Sequence, residues 1–324
     1  MKMNFLKEFH SSSTVPTARN KYDDLRDFVV KAEDVVEIRD FATFIQAIGK
    51  VHYLAANPQV KCGESSERCR FRVFYRGQTR LYGKSHNSEV PLAYRSEGSQ
   101  DEINNRITES VARLKLLSPI ADCGLSDAAI EGLMQQYGAS SRWLDVVDNI
   151  WIALWFACHR AWSATDDAET KEAKKHDRRS QVSYVHYERR VSEQEPCGKR
   201  FAYIVLLGVE EELKLVSPGL YRSEKDELLN LRQALPSQFI RPHVQHGWLI
   251  RRKKDEDYVR DLKDKILGTI KIPLSIALSW LGSSKAFEVS SVFPPPCFDT
   301  GWRDLSFRDE CAEGKRVFNQ VICS

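Results

Sequence analysis

The sequence predicts an α+β fold, because segments with the apolar spacing of helices are mixed with short runs typical of strands. Helical spacing occurs at 40–56 and 101–118, whereas residues 71–76 alternate as a strand does. Residues 201–207 form a continuous apolar run of strand length, typical of a central strand covered on both faces. With 324 residues and 42% hydrophobic content, the chain can bury a substantial core. We expect one α+β domain preceded by an N-terminal helical region over 1–66.

The first half of the chain is expected to contain three helices. Asp40 is placed to cap a packing helix over 40–56. A second helix is predicted over 101–118, where apolar residues recur on one face, and it should end before Pro119. Ser126 is placed to cap a third, which continues through Tyr137.

The middle of the chain changes character. Residues 140–146 predict a short strand, and Asp148-Asn149 can cap an apolar helix over 150–162. Residues 163–200 are rich in charge and poor in core-forming side chains. They indicate a solvated insertion with one strand near 182–187, although a basic binding arm is an alternative.

The last third predicts further elements of the sheet. An amphipathic helix is expected over 224–235, and segments 238–242 and 248–251 flank a turn at His246-Gly247. Residues 269–272 predict a strand ended by a proline.

Composition excludes several classes of protein. Forty-eight Lys and Arg against 45 Asp and Glu give a net charge of +3, so any nucleic-acid footprint must be local. The eight cysteines lack zinc-site spacing, which predicts reduced thiols and no bound metal. The sequence contains neither a signal-peptide pattern nor an apolar run of about 18 residues, so we expect a cytoplasmic protein that does not enter membranes.

Common catalytic motifs are missing from the sequence. It has no glycine-rich nucleotide loop of the G-x-G-x-x-G or G-x-x-x-x-G-K-[ST] type and no G-x-S-x-G elbow. His159 is therefore predicted to be a capping or core histidine. Its neighbour Cys158 is predicted to be a buried thiol, since nothing nearby in sequence would lower its pKa.

Three separated segments carry the chemical signal. The first is Phe74-Tyr75-Arg76-Gly77-Gln78, in which an arginine at the end of a strand could hold a phosphate with its planar fork. Taken alone, Arg76 could equally be a surface residue of an edge strand. The second segment is Leu133–Asp145, followed by Ala153–Ala157, and the third is Arg241–Trp248.

Together these segments resemble the FRG domain family, named after its aromatic-Arg-Gly motif. The resemblance runs from about Phe71 to Leu305 and implies a domain over 67–310, with the charged insertion at about 163–200 and a C-terminal tail over 311–324. The segments recur in the family's order, including a closing Val292-Phe293-Pro294-Pro295.

The order of the segments is also similar, more distantly, to the arginine-type ADP-ribosyltransferases. This resemblance implies split mixed or antiparallel sheets with helices around them. It implies Arg76 as the clamp for NAD, Arg142–Asp145 as the strand that braces the nicotinamide pocket, and Gln245–Gly247 as the late strand. The chain departs from that family at Trp143-Leu144-Asp145 and at Gly247, which occupies the position of the catalytic glutamate.

The resemblance and the chemistry of the reaction suggest a set of site residues. Cleavage of the nicotinamide bond passes through a ribosyl cation, so Asp145 is the candidate to replace the missing glutamate. Tyr75 or Tyr137 could stack on the base, and Gln136 and Gln245 could fix hydroxyls. The candidate catalytic residues are Arg76, Asp145 and Gln245; the candidate NAD-binding residues are Tyr75, Arg76, Gly77, Gln78, Gln136, Tyr137 and Arg142.

Each candidate also has a structural alternative. Asp145 could cap a helix or pair with Arg142, the tyrosines could belong to the core, and the glutamines could bond at strand ends.

Two functions remain open from the sequence. The first is an NAD-consuming ADP-ribosyltransferase, a toxin or phage-defence effector that modifies a macromolecule, with RNA or DNA favoured because of the basic segments 174–179 and 251–254. Such an effector could have a neutralising antitoxin or accessory protein. The alternative is a non-catalytic module that binds a phosphorylated ligand or nucleic acid through Arg76.

Overall fold

The computed structural model describes residues 35–57, 70–82, 89–95, 99–163, 184–253, 261–295, 297–308 and 320–321. These residues form a mixed α+β fold with one large sheet, one small sheet and several helices, which confirms the predicted class. The strands of the large sheet are β1 (Val35–Glu37), β2 (Phe71–Gln78), β3 (Leu144–Val147), β6 (Phe201–Glu210), β7 (Lys214–Ser217), β8 (Leu220–Arg222), β9 (Asp226–Asn230), β10 (Gly247–Arg252) and β11 (Ile266–Pro273). Those of the small sheet are β4 (His159–Ser163), β5 (Tyr184–Arg189) and β12 (Gln320–Val321).

The helices pack around these sheets. They are α1 (Phe41–Ala56), α2 (Gln100–Leu114), α3 (Ser118–Ala121), α4 (Asp127–Gln136), α5 (Ile150–Cys158), α6 (Leu231–Ala234), α7 (Ile240–Val244), α8 (Leu274–Leu281), α9 (Val289–Val292) and α10 (Thr300–Arg308). None of the helices in the described residues is both long and apolar enough to cross a bilayer.

The large sheet is divided near its middle. Its order is β1-β11-β6-β2-β3-β10-β9-β8-β7, and only β1 and β11 run parallel. Strand β2 pairs with β6 along its whole length, and β3 pairs with β10 along its whole length. Between β2 and β3, however, a single pair is formed, Tyr75 with Val147. A four-stranded part and a five-stranded part therefore meet at one point, which we call the seam.

The resemblance implied that the motif segments lie on split sheets, and the structure differs. They lie on β2, β3 and β10, which are neighbours in one hydrogen-bonded sheet. The single Tyr75–Val147 pair keeps the two parts connected, so the division is a local opening between strands.

Both faces of the large sheet are covered. The main core contains Tyr75, Val147 and the helix α5 residue Trp155, all buried. On the opposite face a smaller core is built around Phe74 and Val205. Burial on both faces explains why 201–207 has no polar alternation, as the sequence predicted for a central strand.

Helix starts were predicted well because capping is local. Asp40 Oδ1 accepts a hydrogen bond from the Thr43 backbone N–H at 2.8 Å, and Ser126 caps α4 in the same way. Helix α2 begins with a capping box between Ser99 and Glu102. It ends at Leu114 rather than near 118, because a separate short helix follows.

Besides the end of α2, three element predictions were wrong. The helix expected over 224–235 is instead strand β9 followed by the short helix α6. Asp226 and Glu227 lie buried in β9, where Lys265 pairs with Asp226 and Arg251 pairs with Glu227. Their charges are balanced by cations from other segments, so the acidic pattern did not mark a solvent-facing helix surface.

The other two errors concern element boundaries. Helix α5 ends at Cys158, and the residues after it form β4, because they pair with β5. The strand expected from residue 140 begins only at Leu144.

The regions predicted as flanks and insertion contribute to the fold where they are described. Of 1–66, the described part contains β1 as well as α1, so it is not purely helical. In the insertion, 164–183 lie outside the described residues, but β5 forms as expected, and Arg190 and Glu195 are buried and paired. The insertion is therefore not solvated throughout. In the tail, Gln320–Val321 pair with β5.

Candidate functional site

A cleft of about 240 Å³ lies at the seam, where β2 and β3 separate beyond the Tyr75–Val147 pair. Strand, helix and loop residues from all three motif segments line it. The lining residues are Tyr75, Arg76, Gly77, Gln135, Gln136, Asp145, Val146, Val147, Phe156, Tyr187, Gln245, Gly247 and Phe293.

Arg76 spans the opening between the two strands. Its Nη1 donates a hydrogen bond to the backbone carbonyl of Asp145 at 2.7 Å. Its Nε lies 3.1 Å from Oε2 of Glu89, and 19% of the side chain remains exposed. The guanidinium thus supplies a link across the seam that backbone pairing does not make. Among the described residues, Nη2 makes no hydrogen bond.

Glu89 pairs with the cleft residue Arg76 and was missed by sequence reasoning. Its side chain is 2% exposed, and Oε1 accepts a hydrogen bond from Nε2 of Gln78 at 2.6 Å. Burial raises the pKa of Glu89, while the charge of Arg76 opposes that rise. Gln78, predicted to bind NAD, does not line the cleft; it orients Glu89 instead. No motif marks Glu89, so the sequence offered no signal for it.

Asp145 lies inside the cleft within reach of solvent. Crowding by surrounding protein raises the pKa of its carboxyl. The charges of Arg76 and Arg95 and a hydrogen bond from Gln135 oppose that rise. Among the described lining residues, Asp145 is the only acid. Of its structural alternatives, pairing with Arg142 is excluded, because that arginine binds Glu131.

An aromatic wall closes one side of the cleft. Tyr187 stacks on Phe293 with ring centroids 4.1 Å apart and planes 19° apart, and Phe156 packs edge-on against both. Burial raises the pKa of Tyr187 to about 12, so its hydroxyl is a neutral hydrogen-bond donor at ordinary pH. Phe156 and Phe293 lie in motif segments, whereas Tyr187 lies in the charged insertion, where no sequence signal marked it.

Two glutamines face the cleft from the motif segments. Gln245 is nearly buried, and its Nε2 donates to the Val292 carbonyl at 2.8 Å, so one end of its amide has a structural role. Gln136 lines the cleft beside Gly247, where an added Cβ would lie 3.8 Å from Gln136 Nε2 and 3.0 Å from Leu231 Cδ1. The position of the expected glutamate is therefore closely packed.

Gly77 is required because helix α5 packs closely against β2 at this position. A Cβ on Gly77 would lie 1.8 Å from the backbone oxygen of Ala153 and 2.9 Å from the backbone nitrogen of Ala157. Helix α5 thus packs directly on β2, which joins the aromatic-Arg-Gly motif to the alanines of the Ala153–Ala157 motif. The expected approach of a ligand to this glycine is replaced, on the helix side, by the approach of α5.

Three predicted NAD-binding residues have other surroundings. Tyr137 is buried, donates to Asp299 Oδ2 at 2.6 Å and stacks on Trp302, so it belongs to the core. Arg142 pairs with buried Glu131 at 2.6 Å, away from the cleft lining. Tyr75 borders the cleft, but its ring is buried and its hydroxyl contacts His52 Nε2. The core alternative holds for both tyrosines because hydroxyl partners inside the protein satisfy them.

His159 and Cys158 are structural, as predicted. His159 stacks on Trp155 at 3.9 Å and contacts its carbonyl through Nδ1, and burial lowers the pKa of His159 to about 4. Burial also raises the pKa of Cys158 to about 12, which makes it a poor nucleophile. In the part of the chain that the structure describes, no three His, Cys, Asp or Glu residues come together as metal ligands.

A second cavity, of about 420 Å³, lies on the other side of the Tyr75–Val147 pair. Its polar groups are largely bonded within the protein. Asp148 accepts hydrogen bonds from Trp248 Nε1 at 2.9 Å and from Arg232, and Tyr221 donates to Gln233 at 2.7 Å. Asp148, Tyr221 and Gln233 are therefore engaged within the protein.

The two arginines of the basic segment 251–254 are engaged within the fold, whereas Lys253 is exposed. Arg251 pairs with Glu227 at 2.5 Å, and Arg252 pairs with Asp264. These two arginines are therefore committed to internal acids. The other basic segment, 174–179, lies outside the described residues.

The structure thus defines an α+β protein with a cleft that contains an arginine, a carboxylate and an aromatic wall. No protein-family model matches the sequence, and neither curated proteins nor solved structures give a match.

Proposed function

We propose that this chain is an FRG-type ADP-ribosyltransferase that cleaves NAD and transfers ADP-ribose to a macromolecule. In the reaction the glycosidic bond to nicotinamide breaks, nicotinamide leaves with the bonding electron pair, and a nucleophile of the acceptor forms the new bond and loses its proton. One observation carries the proposal: Arg76, Asp145 and the aromatic wall line a single cleft.

Each group in the cleft suits one part of NAD. The free edge of Arg76 can bind a phosphate oxygen, and the rings of Phe156 and Tyr187 offer apolar faces to nicotinamide. Asp145 supplies negative charge where the ribosyl cation develops. A cleft of about 240 Å³ suits the nicotinamide end of NAD, with the rest of the dinucleotide outside it.

Asp145 takes the role of the glutamate that is missing at Gly247. The ionised carboxylate is the active form, and its pKa is raised. Activity should therefore rise with pH through a value above the ordinary aspartate pKa of about 4.

The test measures nicotinamide release and transfer of labelled ADP-ribose to RNA, DNA or protein extract. Asp145→Asn should lower the rate by about 100-fold or more, as the loss of one charge-stabilising group does elsewhere. Arg76→Lys should also lower the rate, because the compact ammonium group of lysine cannot donate two parallel hydrogen bonds as the planar guanidinium does. Arg142→Lys is the matched control, since Arg142 pairs with Glu131 outside the cleft, and it should keep wild-type activity. Absence of both nicotinamide release and label transfer with every acceptor would refute the proposed ADP-ribosyltransferase activity.

The stability of Asp145→Asn serves as a folding control. The folded state raises the pKa of Asp145, so its ionisation destabilises the fold as pH rises above about 4. At neutral pH the variant should be at least as stable as wild type in urea unfolding. A lost activity in a less stable variant would instead indicate damage to the fold.

A non-catalytic module that binds phosphorylated ligands is the second candidate. The absence of a carboxylate at Gly247, in a position packed against Leu231, favours it. Binding of ADP-ribose without nicotinamide release would support this function. Affinity for nucleic acid that falls steeply with salt would point to a polymer ligand.

A further inference from the structure

We infer that Glu89 is a positioning residue that orients the guanidinium of Arg76 toward the cleft. The inference rests on the proposed function and concerns the same site. Glu89 does not line the cleft; it acts through Arg76, whose Nε lies 3.1 Å from Glu89 Oε2.

Glu89 is itself held from several sides. Gln78 Nε2 donates to Oε1 at 2.6 Å, the Glu89 backbone N–H donates to Asp261 Oδ1 at 2.8 Å, and the Glu89 carbonyl accepts from the Leu262 N–H at 2.9 Å. The Glu89 carboxylate is therefore held in one position by its neighbours.

Two contacts then fix the orientation of Arg76. Nε faces Glu89, and Nη1 donates to the Asp145 carbonyl at 2.7 Å. The ion pair at Nε and the hydrogen bond at Nη1 restrict rotation of the planar guanidinium, so its third nitrogen keeps a preferred direction. This preorganises the arginine for a phosphate oxygen before the substrate arrives.

Glu89 has a second, opposite effect on ligand binding. Its negative charge lies close to Arg76 and partly cancels the attraction of Arg76 for an anion. Arg95 and Asp261 also act on Glu89 electrostatically, with opposite signs. Removing the charge of Glu89 should therefore strengthen anion binding. It should also make the orientation of the Arg76 guanidinium less well defined.

The experiment compares Glu89→Gln with Glu131→Gln. Both glutamates are almost fully buried and both pair with arginines, but Glu131 binds Arg142 and Arg251 outside the cleft. Glu89→Gln should lower kcat for nicotinamide release by about 10- to 100-fold, because the Arg76 guanidinium would no longer be aligned with the substrate phosphate. Its KM for NAD should stay the same or fall. Glu131→Gln should lose stability with kcat and KM unchanged.

Affinity for inorganic pyrophosphate, measured by calorimetry, separates this inference from the proposed function. Glu89→Gln should bind pyrophosphate about 3- to 10-fold more tightly than wild type, and this gain should vanish on an Arg76→Ala background. If wild type binds pyrophosphate but releases no nicotinamide, the proposed function is refuted. The comparison of Glu89→Gln on the wild-type and Arg76→Ala backgrounds still tests the role of Glu89.

Three results would overturn the inference. The first is a Glu89→Gln variant with wild-type pyrophosphate affinity, and the second is one whose kcat falls no more than that of Glu131→Gln. The third is a wild-type protein that does not bind pyrophosphate, which would overturn both the inference and the phosphate role of Arg76.

Discussion

Single residues in the aromatic-Arg-Gly motif have distinct physical tasks. Arg76 joins β2 to the Asp145 carbonyl and keeps one edge free, while Gly77 lets α5 pack on the strand. A residue that serves both the fold and the cleft is hard to substitute without affecting both. The motif is therefore explained in part by packing and in part by the site.

Gly77→Ala is expected to be severely destabilising. The new Cβ would lie 1.8 Å from the Ala153 backbone oxygen, and backbone of a packed helix cannot move aside as a side chain can. Gly49→Ala is the matched control, because a Cβ there meets nothing within 4 Å in the interior of α1. It should increase the free energy of unfolding by roughly 0.5–1 kcal/mol. Urea unfolding of both variants measures the contrast, and a Gly77→Ala protein as stable as wild type would contradict the packing of α5 on β2.

At the scale of elements, short segments shape the cleft. Strand β3 has four residues and bonds to β2 at one pair only, so the edges of both strands open toward the cleft. Helix α7 ends at Val244 with Gln245 as its C-cap, and His246 follows with a φ of 52°, the one positive φ outside glycine among the described residues. This left-handed residue turns the chain from α7 into β10, which places Gln245 and Gly247 at the cleft.

His246→Gly and His246→Ala should differ in a characteristic direction. Both lose the contacts of His246 with Asp148 at 3.2 Å and with Arg232 at 3.0 Å. Only alanine has the Cβ that disfavours a left-handed backbone, so the glycine variant should be about 1 kcal/mol more stable than the alanine variant. Denaturant titration of the pair measures the difference. An alanine variant that is the more stable of the two would show that the chain does not use this turn.

Helix periodicity and capping made several elements predictable. Helices α1 and α4 begin where Asp40 and Ser126 bond the first turn, because capping depends on residues three positions apart. Strand β9 was missed because its acids are neutralised by Arg251 and Lys265, which come from distant parts of the chain. Local spacing carries no information about such partners.

At the scale of the whole molecule, helix α5 ties the two parts of the large sheet together. It packs on Gly77 of β2 and follows β3 directly along the chain, so it covers the seam. Its C-terminal end leads into the small sheet, which brings Tyr187 to the cleft. The shape of the cleft therefore depends on the integrity of this helix and of the aromatic stack of Trp155 and His159 at its end.

His159 should make the fold sensitive to acid. Its pKa is about 4 in the folded protein, below the ordinary value of about 6.5, so the unfolded chain binds the proton first as pH falls. Stability should be unaffected above about pH 6.5 and lost between pH 6.5 and 4, by on the order of 3 kcal/mol. His159→Phe keeps a ring against Trp155 and should flatten this part of the profile. Unfolding free energies at several pH values test it, and an equally steep decline in the variant would assign the acid sensitivity to another group.

The sequence by itself determined the α+β class, the caps of α1, α4 and α5 and the central strand 201–207, because these depend on near neighbours and on hydrophobic spacing. It also identified Arg76, Asp145, Gln136 and Gln245, which do line one cleft. The tertiary structure alone decided which candidates belong elsewhere: Tyr137 in the core and Arg142 with Glu131.

Only the tertiary structure also supplied Glu89 and Tyr187, which reach the cleft or its arginine from segments distant in the chain. The physical reason is that burial, charge pairing and stacking are set by residues far apart in sequence. Capping and periodicity can be read along the chain, whereas these contacts exist only after the two parts of the sheet and helix α5 have packed together.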